Sequence, residues 1–442
     1  MKILTFKGGI HPTYHKDISI GQPLRELCLP QIAVVPLCQH IGAPNNPIVK
    51  KGDYVEEGQR IGESQSFISS PVHSPVYGKV LDVKKAFHPG FGPIESVFIE
   101  RDKDKPSIQY NKKSIGALSS SDILHKIKTA GIVGMGGAAF PTHVKLSVPA
   151  GKKIETLIIN GAECEPYLTC DHVLMTRRAE DVLEGIEIID TIINPSEIYI
   201  AVEDNKKSAF FNFKKLVGRD NREFSKKIKI VLLETKYPQG GEKQLIKAIS
   251  KKEVPPGKLP LDIGFLVQNV GTVCAVYEAV CLDKPLIERI VTLSGDCLDK
   301  PGNYTVRVGT TINDILEIYG INLIKAPKKI IIGGPMMGFS QPFLDAPVLK
   351  STSGILFLSE NSAKIYQESV CIKCAKCVDA CPVNLVPTEI MKNVKKEYWD
   401  KAEKLFVTDC MECGACVYSC PARIPLVQYI KQGKTAVLRK KP

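Results

Sequence analysis

Aromatic residues make up only 7% of this 442-residue chain, with a single Trp. That leaves few rings to stack on bases and argues against nucleic-acid binding. No export signal opens the chain, since Met1 to Pro12 holds Lys2 and Lys7 and no long apolar core; a cytosolic protein is expected. No apolar run is long enough to span a bilayer comfortably. The most apolar window, Phe265 to Leu282, contains Gln268, Asn269 and Glu278 and is read as buried core. A disulfide scaffold is also excluded, because eight of the 15 Cys fall between Cys371 and Cys420, whereas disulfide frameworks spread through small secreted domains.

What is present is ordinary globular material, 44% apolar and 24% charged. At about 150 residues per domain, the length implies three or four domains. Fifty-nine Lys and Arg against 47 Asp and Glu give a net +12, which favours anionic cofactors, acidic partners or an anionic membrane surface.

The first hundred residues read as short strands and tight turns. Val49 to Ile61 and Ser74 to Val80 form hairpin patterns resembling biotinyl and lipoyl carrier domains. Those carriers modify a Lys at a hairpin tip, but no Lys lies between Glu63 and Ser74, so the module is structural. Gly8 to Pro12, with His11, reads as a packed terminal arm. From about residue 116, strands alternate with helices. Ser121 is the expected cap of a helix whose face carries Ile123, Leu124 and Ile127, and Gly131 its terminator. Strands follow at Glu155–Ile159, Glu197–Val202 and Ile228–Leu233, and helices at Val182–Ile189, from Lys206 and from Glu242. This alternation implies a parallel sheet whose ligands sit outside the carboxyl ends of the strands. The loops there are Asn160 to Pro166 and Glu234 to Glu242, with the glycine-rich Gly131 to Pro141 entering just before the first strand. Glycines allow close backbone approach to phosphate. A β-rich segment from Leu293 to Val306 comes next, two strands crossed by a helix at Ile312 to Tyr319, and then a helical domain.

Cys371-Ile-Lys-Cys374-Ala-Lys-Cys377-Val-Asp-Ala-Cys381-Pro382 recurs as Cys410-Met-Glu-Cys413-Gly-Ala-Cys416-Val-Tyr-Ser-Cys420-Pro421. This C-x₂-C-x₂-C-x₃-C-P run belongs to proteins holding two [4Fe–4S] clusters, in which the fourth Cys of each run ligates the other cluster. One cluster is therefore assigned to Cys371, Cys374, Cys377 and Cys420, and the other to Cys410, Cys413, Cys416 and Cys381. Zinc would prefer paired C-x₂-C units. The helical stretch Leu385 to Phe406 makes the domain longer than a minimal ferredoxin. Cys28, Cys38, Cys164, Cys170, Cys274, Cys281 and Cys297 are read as small hydrophobes, Cys274 and Cys281 sharing a helix face and Cys164 unassigned. Clusters carry single electrons and a nucleotide site suggests a two-electron carrier; a flavin joins the two.

Gly134-Met-Gly-Gly-Ala-Ala-Phe-Pro-Thr-His-Val-Lys145 resembles the Gly-Arg-Gly-Gly-Ala-Gly-Phe-Pro-Thr-Gly-x-Lys motif of the NADH-binding flavoprotein subunit of complex I. Asn160 to Pro166 and Tyr237 to Glu242 are similar to two further motifs of that protein. In its domain order the whole chain resembles the C-subunit family of Rnf ferredoxin:NAD oxidoreductase complexes. The resemblance implies a multidomain α/β and α+β fold: a biotinyl/lipoyl-like module (1–115), a Rossmann-like FMN/NAD domain (116–287), a β-grasp soluble-ligand-binding domain (288–350) and a helical two-cluster ferredoxin-type domain with a basic tail (351–442). It implies FMN held noncovalently by Gly134, Gly136, Lys145, Asn160, Glu163, Tyr237, Gly240 and Asn269, and nicotinamide nucleotide met by Phe140, Glu165 and Glu242. It further implies a peripheral subunit on the cytoplasmic face of a bacterial membrane, partnered by integral-membrane and ferredoxin-like subunits that couple electron flow to ion translocation. The chain departs from the motifs at Met135, Ala162, Gly241 and Gln268. A soluble flavin and iron–sulfur cobalamin reductase, and an electron-transfer scaffold without NAD activity, remain as alternative readings. The tail residues Lys431, Lys434, Arg439, Lys440 and Lys441 are either solvated or a contact for anionic headgroups or an acidic subunit.

Overall fold

The computed structural model describes residues 2–113 and 118–440, so the expected boundary at 115/116 lies outside the described residues. At its centre is a parallel sheet of five strands in the order Ile3–Leu4, Ile228–Leu233, Glu197–Glu203, Thr156–Gly161, Phe265–Asn269. The strands are nearly all apolar because helices cover both faces. Leu157 and Ile159 face one core, with Val182, Ile186 and Val273, while Ile158 faces another with Leu245 and Ile246. The apolar window at 265–282 resolves into a strand and the helix Val270–Cys281, every residue of which is buried. Among the described residues no helix is long and apolar enough to cross a membrane.

Three local expectations change. The helix Ser120–Thr129 is capped by Ser119 rather than Ser121, because Asp122 accepts a hydrogen bond from the Ser119 amide and completes a capping box. Ile3–Leu4 leaves the front module and adds to the central sheet, where the edge strand 228–233 offers unpaired backbone groups. Gly354–Leu358 is a wholly buried strand at the middle of the sheet Gly302–Arg307, Glu288–Ser294, Gly354–Leu358, Lys329–Ile332, Phe339–Gln341. The cut between 350 and 351 therefore moves past Leu358, and this sheet has five strands where two were expected.

The front module packs a four-stranded and a three-stranded sheet around Val35, Ile61, Val80 and Val97. Its strands are not all short: Gly78–His88 and Gly92–Arg101 form a long ribbon, whose Pro89 carbonyl accepts from Gln341 at 3.2 Å. The cysteine-rich domain is helical at Pro387–Lys395, Trp399–Lys404 and Leu426–Arg439. Its basic tail runs along the last helix, and three of its lysines find carboxylates within the domain. Lys431 and Lys434 reach Glu412 at 3.4 and 3.0 Å, and Lys440 reaches Asp400 at 3.0 Å; Lys441 lies outside the described residues.

Three modules converge on one ammonium. Lys350 is buried and donates to the carbonyls of Pro71 in the front module (2.6 Å) and Gly131 at the start of the glycine loop (2.7 Å). Burial draws Lys350 down to about 7. Between that value and the ordinary 10.5 the unfolded chain binds more protons than the folded one, so stability rises with pH across this window. Lys350→Met leaves two buried carbonyls unpaired, at about 1–3 kcal/mol each. It should lower the thermal midpoint by several degrees and abolish that part of the pH slope between about 7 and 9, both measurable by thermal denaturation.

Candidate functional site

The order of strands at the sheet centre fixes where a ligand can enter. After Thr156–Gly161 the chain builds outward through 197–203 and 228–233, whereas Phe265–Asn269 lies on the opposite side. The connections diverge there and leave a crevice beyond the strand ends. Asn160 and Asn269 stand side by side at that point, in register. Asn160 donates to the Gly240 carbonyl (2.9 Å) and accepts from the Ala162 amide (3.0 Å). Asn269 caps the 270–281 helix by accepting from Gly271 (2.8 Å), and donates to Asp171 (2.7 Å). The glycine loop crosses this helix start. Gly134 donates to the Phe140 carbonyl (2.9 Å) and Met135 to the Thr272 hydroxyl (3.0 Å). A Cβ on Gly136 would lie 3.1 Å from that of Asn269, so any side chain there would crowd Asn269.

Lys145, on the short helix Thr142–Leu146, pairs with Glu242 at 2.7 Å; their side chains are 33% and 37% exposed. Such a pair contributes at most about 1 kcal/mol and can exchange partners with a ligand. Phe140, half-buried, ends the glycine loop.

Other predicted residues are committed elsewhere. Glu163 accepts from the amides of Asp171 (2.8 Å) and His172 (3.4 Å), at the start of the helix Cys170–Arg177. Burial, and then the Glu163 charge, raise Asp171 to about 6. Glu165 turns to the neighbouring sheet, where both carboxylate oxygens accept amides of the 333–338 turn, Met336 and Met337, at 3.0 Å. Gly334 is required there, since any Cβ on it would clash with the Glu165 carboxylate; burial raises Glu165 to about 7. The hydroxyl of fully buried Tyr237 donates to the Cys413 carbonyl at 2.7 Å, so it faces the cysteine-rich domain rather than the crevice. Gly240 packs against the Ala162 carbonyl with no room for a Cβ, and donates to Cys164 Sγ at 3.3 Å. Burial pushes that thiol up to about 12, which marks Cys164 as an unreactive acceptor.

Sequence reasoning missed Lys16. From the N-terminal arm its buried ammonium donates to the carbonyls of Glu163 (2.7 Å), Glu165 (3.0 Å) and Leu168 (2.6 Å) and so shapes the whole loop. A Lys in the N-terminal arm was the only signal. The Gly333-Gly-Pro turn was likewise legible as a turn but not as Glu165's partner. The arm's Gly8 to Pro12 is packed as expected: Ile10 exchanges backbone hydrogen bonds with Tyr237, and Gly9 donates to Ala380 at 3.0 Å. His11 meets the Thr235 carbonyl at 3.2 Å.

The two cysteine runs interleave. Cys381 of the first lines a single cavity with Cys410, Cys413 and Cys416 of the second. Cys377 packs with Cys420, and Cys371 lies against them. Burial raises the Cys377 thiol and the nearby Cys420 and Cys371 raise it further; burial raises Cys413 to about 12, with Cys410 and Cys381 adding. Thiols brought together in this way suit a bound cationic centre, which turns them into thiolate ligands. Cys374 is exposed, whereas Cys413 and Cys416 are buried.

Four family patterns cover most of the chain: the RnfC barrel sandwich hybrid domain at 4–104, the Nuo51 FMN-binding domain at 127–278, the SLBB domain at 290–340 and the 4Fe-4S dicluster domain at 363–421. The chain is 45% identical over 402 residues to the C subunit of the Na(+)-translocating ferredoxin:NAD(+) oxidoreductase complex of Acetobacterium woodii, covering 90% of this chain and 89% of that one. It is 43% identical to the proton-translocating counterpart of Clostridium ljungdahlii, over 98% of this chain and 93% of that one. The C subunit of the ion-translocating oxidoreductase complex of Haemophilus influenzae is 43% identical over 99% of this chain, which spans 53% of its length. A chain of an air-oxidised NAD+-reducing [NiFe]-hydrogenase shares the fold at 18% identity and a TM-score of 0.52, over 73% of this chain and 62% of that one. By these identities and this domain order, the chain belongs to the family of C subunits of ion-translocating ferredoxin:NAD+ oxidoreductase complexes.

Proposed function

We propose that this chain exchanges hydride between NAD(H) and FMN, and single electrons through two [4Fe–4S] clusters. It does so as a peripheral subunit at the cytoplasmic face of a membrane complex whose integral-membrane and ferredoxin-like partners couple the electron flow to ion translocation. One observation carries the reading: the loop bearing Tyr237, Gly240 and Glu242 lies at the crevice and at the cysteine cavity at once. The Tyr237 hydroxyl meets Cys413, Gln244 donates to the Pro382 carbonyl at 3.3 Å, and a Cβ on Gly241 would lie 2.9 Å from Met411.

Bound FMN supplies the capacity to take a hydride and release electrons singly. Gly134, Gly136, Asn160, Gly240 and Asn269 form the close-approach backbone and amide rim for it, and Lys145 offers a cation once released from Glu242. Glu163 and Tyr237 act one layer out, by fixing the 163–171 loop and the seam. Phe140 supplies an apolar face for the nicotinamide, Glu242 borders the opening, and Glu165 acts through the loop that it ties to the 333–338 turn. The Cys381, Cys410, Cys413, Cys416 site is proximal to the flavin. The site of Cys371, Cys374, Cys377 and Cys420, with exposed Cys374, is distal and suits exchange with a one-electron partner.

Anaerobically purified protein should carry about eight irons, four per Cys₄ site, together with noncovalent FMN that bleaches on adding NADH. Stoichiometric zinc without iron would overturn the cluster assignment. Cys381→Ser should remove the proximal cluster, leaving NADH reduction of the flavin intact but slowing onward transfer to a one-electron dye by about 100-fold or more, since a gap then opens in the electron path. Cys420→Ser should instead leave a cluster that NADH still reduces, as read by electron paramagnetic resonance. Glu165→Gln sets an amide NH₂ against one of the Met336 and Met337 amides. It should keep iron and FMN while raising KM for NADH about tenfold, the loss of one hydrogen bond to a charged group; an unchanged KM removes Glu165 from the nucleotide site.

A further inference from the structure

The two cysteine runs follow the same backbone path, yet only one of them is covered. Lys373 and Ala375 in the first run, and Glu412 and Gly414 at the matching positions of the second, all take left-handed backbone, with φ from +58° to +79°. Each run then continues into a one-turn helix, Lys376–Asp379 or Ala415–Tyr418. The second run is sealed by the rest of the protein. Tyr237 bonds the Cys413 carbonyl, Met411 crowds Gly241, Met336 lies against Gly414, and Ala415 is fully buried. On the first run Ile372 is 67% exposed, and Lys373, Cys374, Ala375 and Lys376 are exposed with it. The strap that leads into this run adds Ile365 and Val370, 80% and 85% exposed.

The strap is fixed where it stands: Ser369 donates to the Ala422 carbonyl at 2.9 Å, and the Arg423 guanidinium lies over the Tyr366 ring at 4.2 Å. Aliphatic side chains clustered in water in this way mark a surface built to be covered. Charge decides by what. Lys364, Lys373 and Lys376 are exposed and reach no carboxylate within 4.0 Å among the described residues, while the nearby Glu368 and Glu389 are held by Lys395 and Lys392 at 3.2 and 2.7 Å. Asp379 is the one acid within the run. Lys376 stands where the sealed run has buried Ala415, so an apolar cover like that of the second run would strand its ammonium. A cover that carries carboxylates would pair it. Small contact areas steered by charge suffice for electron-transfer encounters, and exposed Cys374 places a ligand of the distal site inside this one.

We propose that the face from Lys364 to Lys376 is the docking surface for an acidic one-electron carrier protein, whose centre loses one electron as the distal site gains it, or the reverse. The inference rests on the two-cluster reading above and deepens it, and its test keeps the two apart. Full-length protein with its iron in place is titrated calorimetrically with an oxidised, acidic two-[4Fe–4S] ferredoxin, at low salt and at about 1 M salt, where the screening length falls to about 3 Å. Wild type should bind at low salt and lose most of that affinity at high salt. Reversing both run lysines together, Lys373→Glu with Lys376→Glu, should weaken low-salt binding by about tenfold, and Lys364→Glu, outside the cysteine run, by about threefold. Iron is measured in each variant, so the Lys364 change still reads the face where the paired change disturbs a cluster. Lys214→Glu with Lys215→Glu, an equal change of charge on the helix Lys207–Val217, should leave the affinity unchanged. Wild type that holds its iron yet does not bind, unchanged affinity in the variants of this face, or equal losses in the Lys214 and Lys215 control would overturn the proposal. Wild type that holds no iron would overturn the cluster reading and the proposal with it.

Discussion

The hydrogen bond from the Tyr237 hydroxyl to the Cys413 carbonyl, with the packing around it, is the constraint on which the rest of the arrangement depends. An electron path needs the crevice at the sheet edge and the cysteine cavity to share a wall. That wall is the turn from Tyr237 to Gln244, pressed against Pro382 and Met411. The N-terminal arm locks it from the side. Ile10 pairs with Tyr237, and Gly8, at φ +86°, leaves no room for a side chain because its Cβ would lie 2.7 Å from the Cys381 carbonyl.

A second theme is the use of buried cations as interdomain pins. Lys16 gathers three loop carbonyls, Lys350 joins three modules, and Arg307 ties the SLBB sheet to the front module through Glu57 at 2.8 Å. Lys206 and Glu203 form a wholly buried pair. Buried charges of this kind add little net stability, but they penalise every arrangement that leaves them unpaired, and so specify how the modules sit together. Part of the basic excess that composition assigns to external anions is thus internal, while at the surface Lys431, Lys434 and Lys440 of the tail pair with Glu412 and Asp400.

Legibility tracked locality. The strands 197–203 and 228–233 and the helix starting at Glu242 fall where the pattern of apolar residues places them. The strand 354–358 was harder, because a four-residue apolar run between Gly354 and Ser359 carries no period that separates sheet centre from linker. The cap at Ser119 shows the same limit at smaller scale: three serines in a row compete, and the winner is set by the position of Asp122.

By itself the sequence determined the two cysteine runs, the strand–helix alternation, the glycine loop and hence the family, since each is written within a few dozen neighbouring residues. Only the tertiary structure decided that Glu165 answers to the 333–338 turn, 171 residues away, that Tyr237 answers to Cys413, 176 residues away, and that Lys16 answers to the loop at Glu163. These pairings are fixed by which surfaces the packed modules bring together, and a buried polar group takes whatever partner that packing delivers rather than one its own neighbours in sequence could announce.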